Sequence, residues 1–576
     1  MQKQIVSRHT VDDSFLPDTL HPIIKQIYAS RGVDDPQQLD MRASNLLRPD
    51  SIKGLEAAVE LLVEALEQHK RIIIVGDFDA DGATSTAVMM LGLKMLGFKH
   101  LEFLVPNRFD FGYGLSAPMA ELTVAQGAEL IITVDNGISS VAGVEVAKKA
   151  GVKVLVTDHH LPGEQLPDAD AIVNPNQLGC LFDSKNLAGV GVAFYLLSAL
   201  RGELQSRNYF TKDLFGSETP PKLAELLDLV ALGTVADVVP LDTNNRVLVH
   251  QGLQRVRSGY CRPGIKAMVE VAGKQLNKMV ASDFGFVLGP RLNAAGRLDD
   301  MSLGIDCLLT DDPIKAHEIA SELDQLNQDR REIEQGMQLE AERVLNHLSM
   351  SSEVPDGICL FQPDWHEGVI GIVAGRIKDK YHRPTVVFAQ AENGDLKGSC
   401  RSIPGLHIRD ILEQINTQYP NLIIKFGGHA MAAGLSIEGK RFDTFKLAFE
   451  YIVNKNITEE QRHCAIVTDG ELPIDCYNID FIEQLRAAGP WGQHFVEPVF
   501  EGKFRLLQQR LLKEKHLKVV LQTPDGTTLD GIYFNIDNKQ WPNATVNYVH
   551  GAFNLDINEF RGQCSVQLLI KALNPL

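Results

Sequence analysis

The sequence predicts a multidomain α/β protein: a parallel-sheet domain, a long connector helix, a second α/β domain and a small C-terminal β-barrel. Three observations carry this. Short apolar runs alternate with helix-length segments between residues 71 and 173. A stretch after Pro313 is almost free of Pro and Gly. Beyond His463 the chain becomes a series of short strands separated by turn residues. At roughly 100 to 200 residues per domain, the 576 residues call for three to five domains.

Residues 1–50 read as a helical lead-in with loop signals at Arg31-Gly32 and Asp34 to Pro36. Residues 55–69, LEAAVELLVEALEQH, have helical apolar periodicity. Arg71 to Val75 is a β-branched run, followed by a Gly- and Asp-rich turn and a helical stretch from Ala83 to Leu96. Leu101 to Val105, Leu130 to Val134, Val152 to Val156 and Ala171 to Val173 are further short apolar runs. That alternation predicts a parallel sheet with helices on both faces. Residues 222–345 are mostly helical by pattern. Asp311 and Asp312 before Pro313 make a good helix start. From Ile314 to Met350 there is one Gly and no Pro, so a single helix of about 50 Å is expected at about 1.5 Å per residue. An α/β pattern returns over 356–450 (GICLF, TVVFA, LIIKF), and FRLLQQRLL, HLKVVLQ, LDGIYFN, ATVNYVHGAFNL and CSVQLLIKAL read as the short strands of the barrel. The expected divisions are 1–50, 51–312, 313–350, 351–455 and 456–576.

Composition narrows the classes. Eight scattered cysteines with no C-x-x-C pair exclude a disulfide scaffold and a zinc ribbon. MQKQIVSRHTVDDSF lacks the apolar core of a signal peptide, and Ala188 to Leu200 is too short to span a bilayer. A reduced, cytoplasmic protein without membrane contact is expected. The net charge of −18, from 56 basic and 74 acidic side chains, excludes a basic DNA-coating protein. It does not exclude a nuclease whose acids bind metal.

The placing of those acids is informative. In RIIIVGDFDADG, Asp77, Asp79 and Asp81 follow directly on the first strand, and alternate residues of an extended segment share a face. Asp135 follows LIITV, Asp158, His159 and His160 follow VKVLVT, and Asp237 lies in LGTVADVVP. Ligands of open parallel sheets bind outside the carboxyl ends of the strands. An Asp after a strand is often only a helix cap, and Asp135 alone would be read that way. Three carboxylates within five residues repel one another in a crevice, and a divalent cation removes the repulsion. Carboxylates and imidazoles without thiolate suit Mn²⁺ or Mg²⁺, with zinc still open. The number of ligands fits two ions, about 3.5 to 4 Å apart, that activate hydroxide for in-line displacement at phosphorus. The turn carries no G-x-x-x-x-G-K-[ST] or G-x-G-x-x-G, so nucleotide phosphatases of the P-loop type and nicotinamide dehydrogenases drop away.

VGDFDADG, VDNG, TDHH and VADVVP, in that order and spacing, resemble the four motifs of the DHH phosphoesterase superfamily. FGGHAMAAGL, residues 426–435, resembles the Gly-Gly-His signature of the DHH-associated second domain. With GPRLNAAGRL (289–298), DWHEGVIGIVAGRI (364–377) and a barrel tail, nearly the whole chain is similar to the bacterial RecJ family. The resemblance implies a 5′→3′ exonuclease on single-stranded DNA that uses Mn²⁺ or Mg²⁺, and an OB-fold for the tail. Carried over by it, metal ligands fall on Asp79, Asp81, Asp135, His159 and Asp237, with Asp135 bridging, and His160 lies against the scissile phosphate. Smaller phosphatases of the superfamily have a ligand His four residues before the Asp79 position. Val75 stands there, and Asp77 is the substitute, directly or through water.

Selection of a 5′ end needs cations beside the metals. Arg108 lies just past the second strand, in VPNRFDFGYGL. Arg291 and Arg297 are flanked by small residues, and GSCRS offers Ser399, Arg401 and Ser402. Gly427 and Gly428 form a tight turn presenting His429. For most arginines a structural salt bridge is the default; the resemblance raises Arg297, Arg401 and His429. Tyr113, Trp365 and Trp491 could stack on bases, and core packing is the default for Phe109 and Phe111. The basic run QQRLLKEKHLK, 508–518, is either a strand-binding groove or a solvated hairpin. The resemblance further implies a role in recombination and repair, with a helicase and a single-strand-binding protein as partners. A terminal 5′ phosphate held by Arg401 and His429 would set the cleavage point and release 5′-mononucleotides. Two rivals are a phosphodiesterase for short oligonucleotides or cyclic dinucleotides, and a non-catalytic DHH scaffold like the subunit of the eukaryotic replicative helicase. The barrel tail counts against the first and the intact acidic motifs against the second.

Overall fold

The computed structural model describes residues 3–106, 114–215, 218–349, 354–391, 393–536 and 540–576. The chain divides into two compact units: Thr10–Asn327 with Glu483–Glu497, and Met1–His9 with Gln328–Ile482 and Pro498–Leu576.

The first unit is built on a five-stranded sheet in the order Leu101–Leu104, Ile72–Val75, Leu130–Val134, Lys153–Thr157, Ala171–Val173. All neighbours are parallel. Period-2 alternation sorts the side chains. Ile72 and Ile74 join a large core with the helices Leu55–Glu67, Ala80–Met95 and Gly189–Ser206. Ile73 and Val75 face a smaller core under Ala117–Ala125 and Val141–Lys149. In chain order the strands run 2-1-3-4-5, so the connections diverge between Ile72–Val75 and Leu130–Val134. Such a switch point opens a crevice at the carboxyl ends of the strands. Asp77 and Asp135 follow those two strands. Residues 223–309 are helical, as their pattern predicts.

Helix Pro313–Ser349 matches the expected connector and starts at the predicted Pro. The second unit holds a mixed sheet ordered Lys425–Gly428, Ala432–Glu438, Asp395–Arg401, Thr385–Gln390, Ile358–Phe361. One face packs on helices Ile408–Gln418 and Phe442–Asn456. The tail is a closed barrel of Phe500–Leu512, His516–Gln522, Thr528–Tyr533, Gln563–Pro575 and Tyr548–Phe560, in that order. First-second-third-fifth-fourth is the strand order of an OB-fold. The basic run forms the tip between its first two strands, and Lys518 there pairs with Asp530 at 2.9 Å.

Three local expectations fail. The lead-in does not begin as helix: Gln4–Ser7 is a strand, parallel to Ala465–Thr468. It is fastened by Ser7 Oγ donating to Glu501, by Asn574 Nδ2 donating to the Lys3 carbonyl at 2.8 Å, and by Arg8 facing Asp469 at 3.5 Å. Trp491 is no exposed stacking platform either. It stacks on Phe495 with centroids 5.1 Å apart, Tyr28 packs alongside, and Arg246 lies 4.2 Å over the Phe495 ring. Trp365 is likewise buried, with Nε1 donating to Glu340 at 2.8 Å.

Candidate metal centre

Asp79 is the N-cap of helix Ala80–Met95, its Oδ1 accepting from Gly82 N at 3.0 Å. Asp81 in the first turn is buried beneath it. Its two carboxylate oxygens accept from Gly189 N at 2.6 Å and Val190 N at 3.0 Å, the first two residues of helix Gly189–Ser206. A helix N-terminus holds this carboxylate in place. Asp135 stands at φ 61°, which turns its side chain into the same crevice. His159 Nε2 lies 3.1 Å from Asp135 Oδ1, 3.5 Å from Asp237 Oδ2 and 4.0 Å from Asp81 Oδ2.

Three sets of side chains each bring their ligand atoms within 4.8 Å of one another: Asp77, Asp79 and Asp135; Asp81, His159 and Asp237; and Asp135, His159 and His160. Every residue of the predicted cluster is therefore present in one of them. Asp77 falls in a set with Asp79 and Asp135, the place that a substitute for the missing histidine would take. Asp135 and His159 each belong to two sets.

The electrostatics fit cations. Burial first, then the charges of Asp81 and Asp79, drive the Asp135 pKa well above the ordinary carboxylate range. Asp81 is pushed up to about 7 by burial and by Asp79, despite the two backbone bonds that oppose the shift. Asp237 is raised by burial and by Asp81. Mutual repulsion of this kind is relieved by divalent cations, and a carboxylate set with one or two imidazoles and no thiolate suits Mn²⁺ or Mg²⁺.

A supporting layer had no clear sequence signal. Asp158 is a buried anchor: Oδ1 accepts from His159 N at 2.7 Å, His160 N at 3.1 Å and His160 Nδ1 at 2.7 Å, while Oδ2 accepts from Ile138 N at 2.9 Å. Burial alone would lower the His160 pKa, but the bond and charge of Asp158 prevail and push it up to about 9. Asn174 and Asn176 donate to the carbonyls of His160 and His159 at 2.9 and 2.6 Å. Asn136, next to Asp135, ties the ends of two strands by donating to the carbonyls of Val75 and Val134 at 3.0 and 2.9 Å. Asn293 accepts from Ala80 N at 2.8 Å, so GPRLNAAGRL buttresses the acidic turn. Gly296 completes that contact: a Cβ there would lie 1.9 Å from the Phe78 carbonyl oxygen. Only glycine permits such an approach.

The predicted phosphate contacts divide. Arg291 is buried, with Nη1 on the Val287 carbonyl at 2.6 Å and Nη2 on Asp324 at 2.7 Å, a structural commitment. Arg297 is in the last turn of helix Gly289–Leu298, one residue after Gly296. Arg108 and Tyr113 lie outside the described residues, as do Phe109 and Phe111. In the second unit Ser399 and Arg401 share one face of strand Asp395–Arg401. A Cβ on Gly371 would lie 3.0 Å from an Arg401 guanidinium nitrogen and 3.4 Å from Ser399 Oγ, so both sit beside the first turn of helix Ile370–Tyr381. Arg401 pairs in register with Ala432, and His429 N donates to the Ala432 carbonyl at 2.8 Å across a turn that Gly428 makes at φ 140°. Gly427 has open space where a side chain would stand. Ser402 is buried and donates to the Leu406 carbonyl at 2.6 Å.

Comparison with known proteins agrees with this geometry. The DHH family N-terminal domain matches residues 71–234, the DHHA1 domain 355–455 and the RecJ OB domain 468–572. The single-stranded-DNA-specific exonuclease RecJ of Salmonella typhimurium is 53% identical over 577 residues, covering 100% of both chains. That of Escherichia coli K12 is 53% identical over 580 residues, again covering 100% of both. The crystal structure of Thermus thermophilus RecJ in complex with Mn²⁺ superposes with a TM-score of 0.79 at 30% identity, covering 97% of this chain and 76% of that one. Its complex with Mg²⁺ gives 0.74 at 29% identity, covering 97% and 75%. The chain belongs to the RecJ family of single-stranded-DNA-specific exonucleases.

Proposed function

We propose that the chain degrades single-stranded DNA from its 5′ end to 5′-mononucleotides, with two divalent ions, Mn²⁺ or Mg²⁺, in the crevice of the first unit. The carrying observation is the convergence of Asp77, Asp79, Asp81, Asp135, His159 and Asp237 at the switch point of a parallel sheet. Bound there, the ions supply charge stabilisation to the phosphoryl oxygens and activate the attacking water. The protein's part is orientation. Asp81, clamped by the N-terminus of helix Gly189–Ser206, and Asp79, fixed as a cap, keep their carboxylates in place without help from solvent. Asp158 holds the His160 ring through Nδ1, so Nε2 is the nitrogen that would meet the scissile phosphate or the departing oxygen. Such fixed placement carries much of the rate in phosphoryl transfer.

Arg401, Ser399 and the Gly427-Gly428-His429 turn form the site we assign to the terminal 5′ phosphate. A guanidinium beside a helix start and an open glycine floor suit a phosphate dianion. Base identity matters little to contacts of this kind. The barrel is the module that follows the strand, and no helix of the described residues is long and apolar enough to cross a membrane. A cytoplasmic place in recombination and repair, beside a helicase and a single-strand-binding protein, is the setting we infer. The test uses 5′- and 3′-labelled single strands with and without Mn²⁺. Early release of the 5′ label as mononucleotide, lost in Asp135→Ala, is the expected result; release from the 3′ end, or internal cuts, would overturn it.

A further inference from the structure

Helix Ala80–Met95 carries the metal ligands at its N-terminus; its other end, about 20 Å away at about 1.5 Å per residue, borders a separate recess. The recess measures about 500 Å³. Leu91 and Met95 give it an apolar wall, and Tyr260, 74% exposed, stands at its edge. Arg262 makes the opposite rim rigid by donating to the carbonyls of Leu308, Leu309 and Thr310 and pairing with Asp311 at 2.7 Å. Two more cations, Lys94 and Arg255, line it. Neither side chain makes a hydrogen bond or salt bridge among the described residues, although the buried Asp228 feels the Arg255 charge, and Arg255 Nε is buried there without an acceptor. One unpaired acid, Glu225, faces them. A buried guanidinium N–H without an acceptor is costly, and an anion in the recess would remove that penalty.

We propose that this recess binds a nucleoside monophosphate, with its phosphate between Lys94 and Arg255 and its base on the Tyr260 ring. The ligand class rests on the exonuclease reading, since that reaction releases such molecules. Its size, charge and ring come from the recess itself. A volume of about 500 Å³ is within the usual span of small-molecule pockets, roughly 300 to 1,000 Å³. A phosphate dianion matches two unpaired cations, and an exposed tyrosine supplies a stacking face. The distance from Asp81 makes this a second site, so product could accumulate on the enzyme without occupying the metal crevice.

The experiment is calorimetric titration of the full-length, metal-stripped chain with dAMP, AMP, deoxyadenosine and inorganic phosphate. Without metal, the acidic crevice repels phosphate. Saturable binding of dAMP in the recess is expected, about tenfold weakened by Lys94→Ala or Arg255→Ala, the loss of one charge-assisted bond. Tyr260→Ala should weaken dAMP while leaving inorganic phosphate unchanged. Deoxyadenosine should bind far more weakly than dAMP, and AMP equally well, because nothing in the lining reads the 2′ position. Arg401→Ala removes only the 5′-phosphate site assigned in the second unit, and one saturable dAMP site should remain in that variant. If Arg401→Ala abolishes it, or if Lys94→Ala and Arg255→Ala both bind dAMP as the wild type does, the recess is not the site. No binding at all would also overturn the proposal. Intact dAMP binding alongside absent exonuclease activity would instead refute the exonuclease reading.

Discussion

Gly296→Ala tests whether the helix of GPRLNAAGRL positions the metal turn. A methyl group at 296 would stand 1.9 Å from the Phe78 carbonyl oxygen and 3.0 Å from the Met301 methyl carbon. Met301 can swing aside. The Phe78 carbonyl cannot, because it is backbone between Asp77 and Asp79. A carbon–oxygen contact relaxes only beyond about 3.3 Å, so the turn and the helix must part by more than about 1 Å. Overpacking of this kind destabilises by about 1 to 3 kcal/mol. A displacement of about 1 Å at the reacting groups costs roughly 10²-fold in rate. The expected outcome is a drop of about two orders of magnitude in kcat/KM on a single-stranded oligonucleotide, with weaker Mn²⁺ binding and a modest fall in Tm. Gly202→Ala is the control. It lies in helix Gly189–Ser206 with nothing within 4 Å of its Cβ position, so it should be neutral or stabilise by about 0.5 to 1 kcal/mol. Wild-type kcat/KM and Mn²⁺ affinity in Gly296→Ala would refute the buttress.

Asp81→Ala and Asp135→Ala should each reduce exonuclease activity to background while the circular dichroism spectrum stays native; persistent activity would sink the two-ion assignment. Asp158→Asn keeps the shape of the anchor but not its charge, and should lower activity about 10- to 100-fold with Mn²⁺ still bound. Arg401→Ala should remove most of the preference for 5′-phosphorylated over 5′-hydroxyl strands, about tenfold, without changing Mn²⁺ affinity. Glu501→Gln should lower Tm at neutral pH. Burial raises the Glu501 pKa, but bonds from Ser7, Thr468 and His550 outweigh it and hold it below the usual 4.5. A depressed carboxylate stabilises fully above its unfolded value and loses that contribution as pH falls through the folded one. The Tm difference between wild type and variant should therefore shrink as pH falls below 4.5, and a difference that grows on acidification would refute the assignment.

Much of the candidate metal site was legible in the sequence because the side chains that could serve as its ligands announce themselves locally. Asp77, Asp79 and Asp81 alternate after a strand, and the other ligands follow further strands or helices of one sheet domain. What holds them in place was not legible. Asn293 reaches Ala80 across 213 residues, and Gly189 reaches Asp81 across 108. The same holds for the fold. Strands of hydrophobic runs and the connector helix follow from periodicity, whereas the strand Gln4–Ser7 has four residues and a clasp on Glu501 that spans 494. Trp491 could be read as a surface ring because its partners, Tyr28 and Arg31, come from distant parts of the chain.

Asp81 and Asp158 show why residue type and position leave function undetermined. Each is a buried aspartate just past a strand of the same sheet. Asp158 accepts four N–H bonds, one of them from His160, and these outweigh burial so that its pKa falls. Three of those bonds fall on Oδ1 and one on Oδ2, and it serves as an anchor. Asp81 accepts two backbone N–H bonds and a longer one from the Ser85 hydroxyl at 3.3 Å, and it faces Asp79, so burial and repulsion prevail and its pKa rises. That carboxylate keeps both a reason and the capacity to take a cation. The difference lies in the donors: a helix start at Gly189 in one case, an imidazole and a neighbouring loop in the other. Donors are assembled only by the fold, so a carboxylate's role as ligand or anchor is a property of its hydrogen-bond count, which no local motif records.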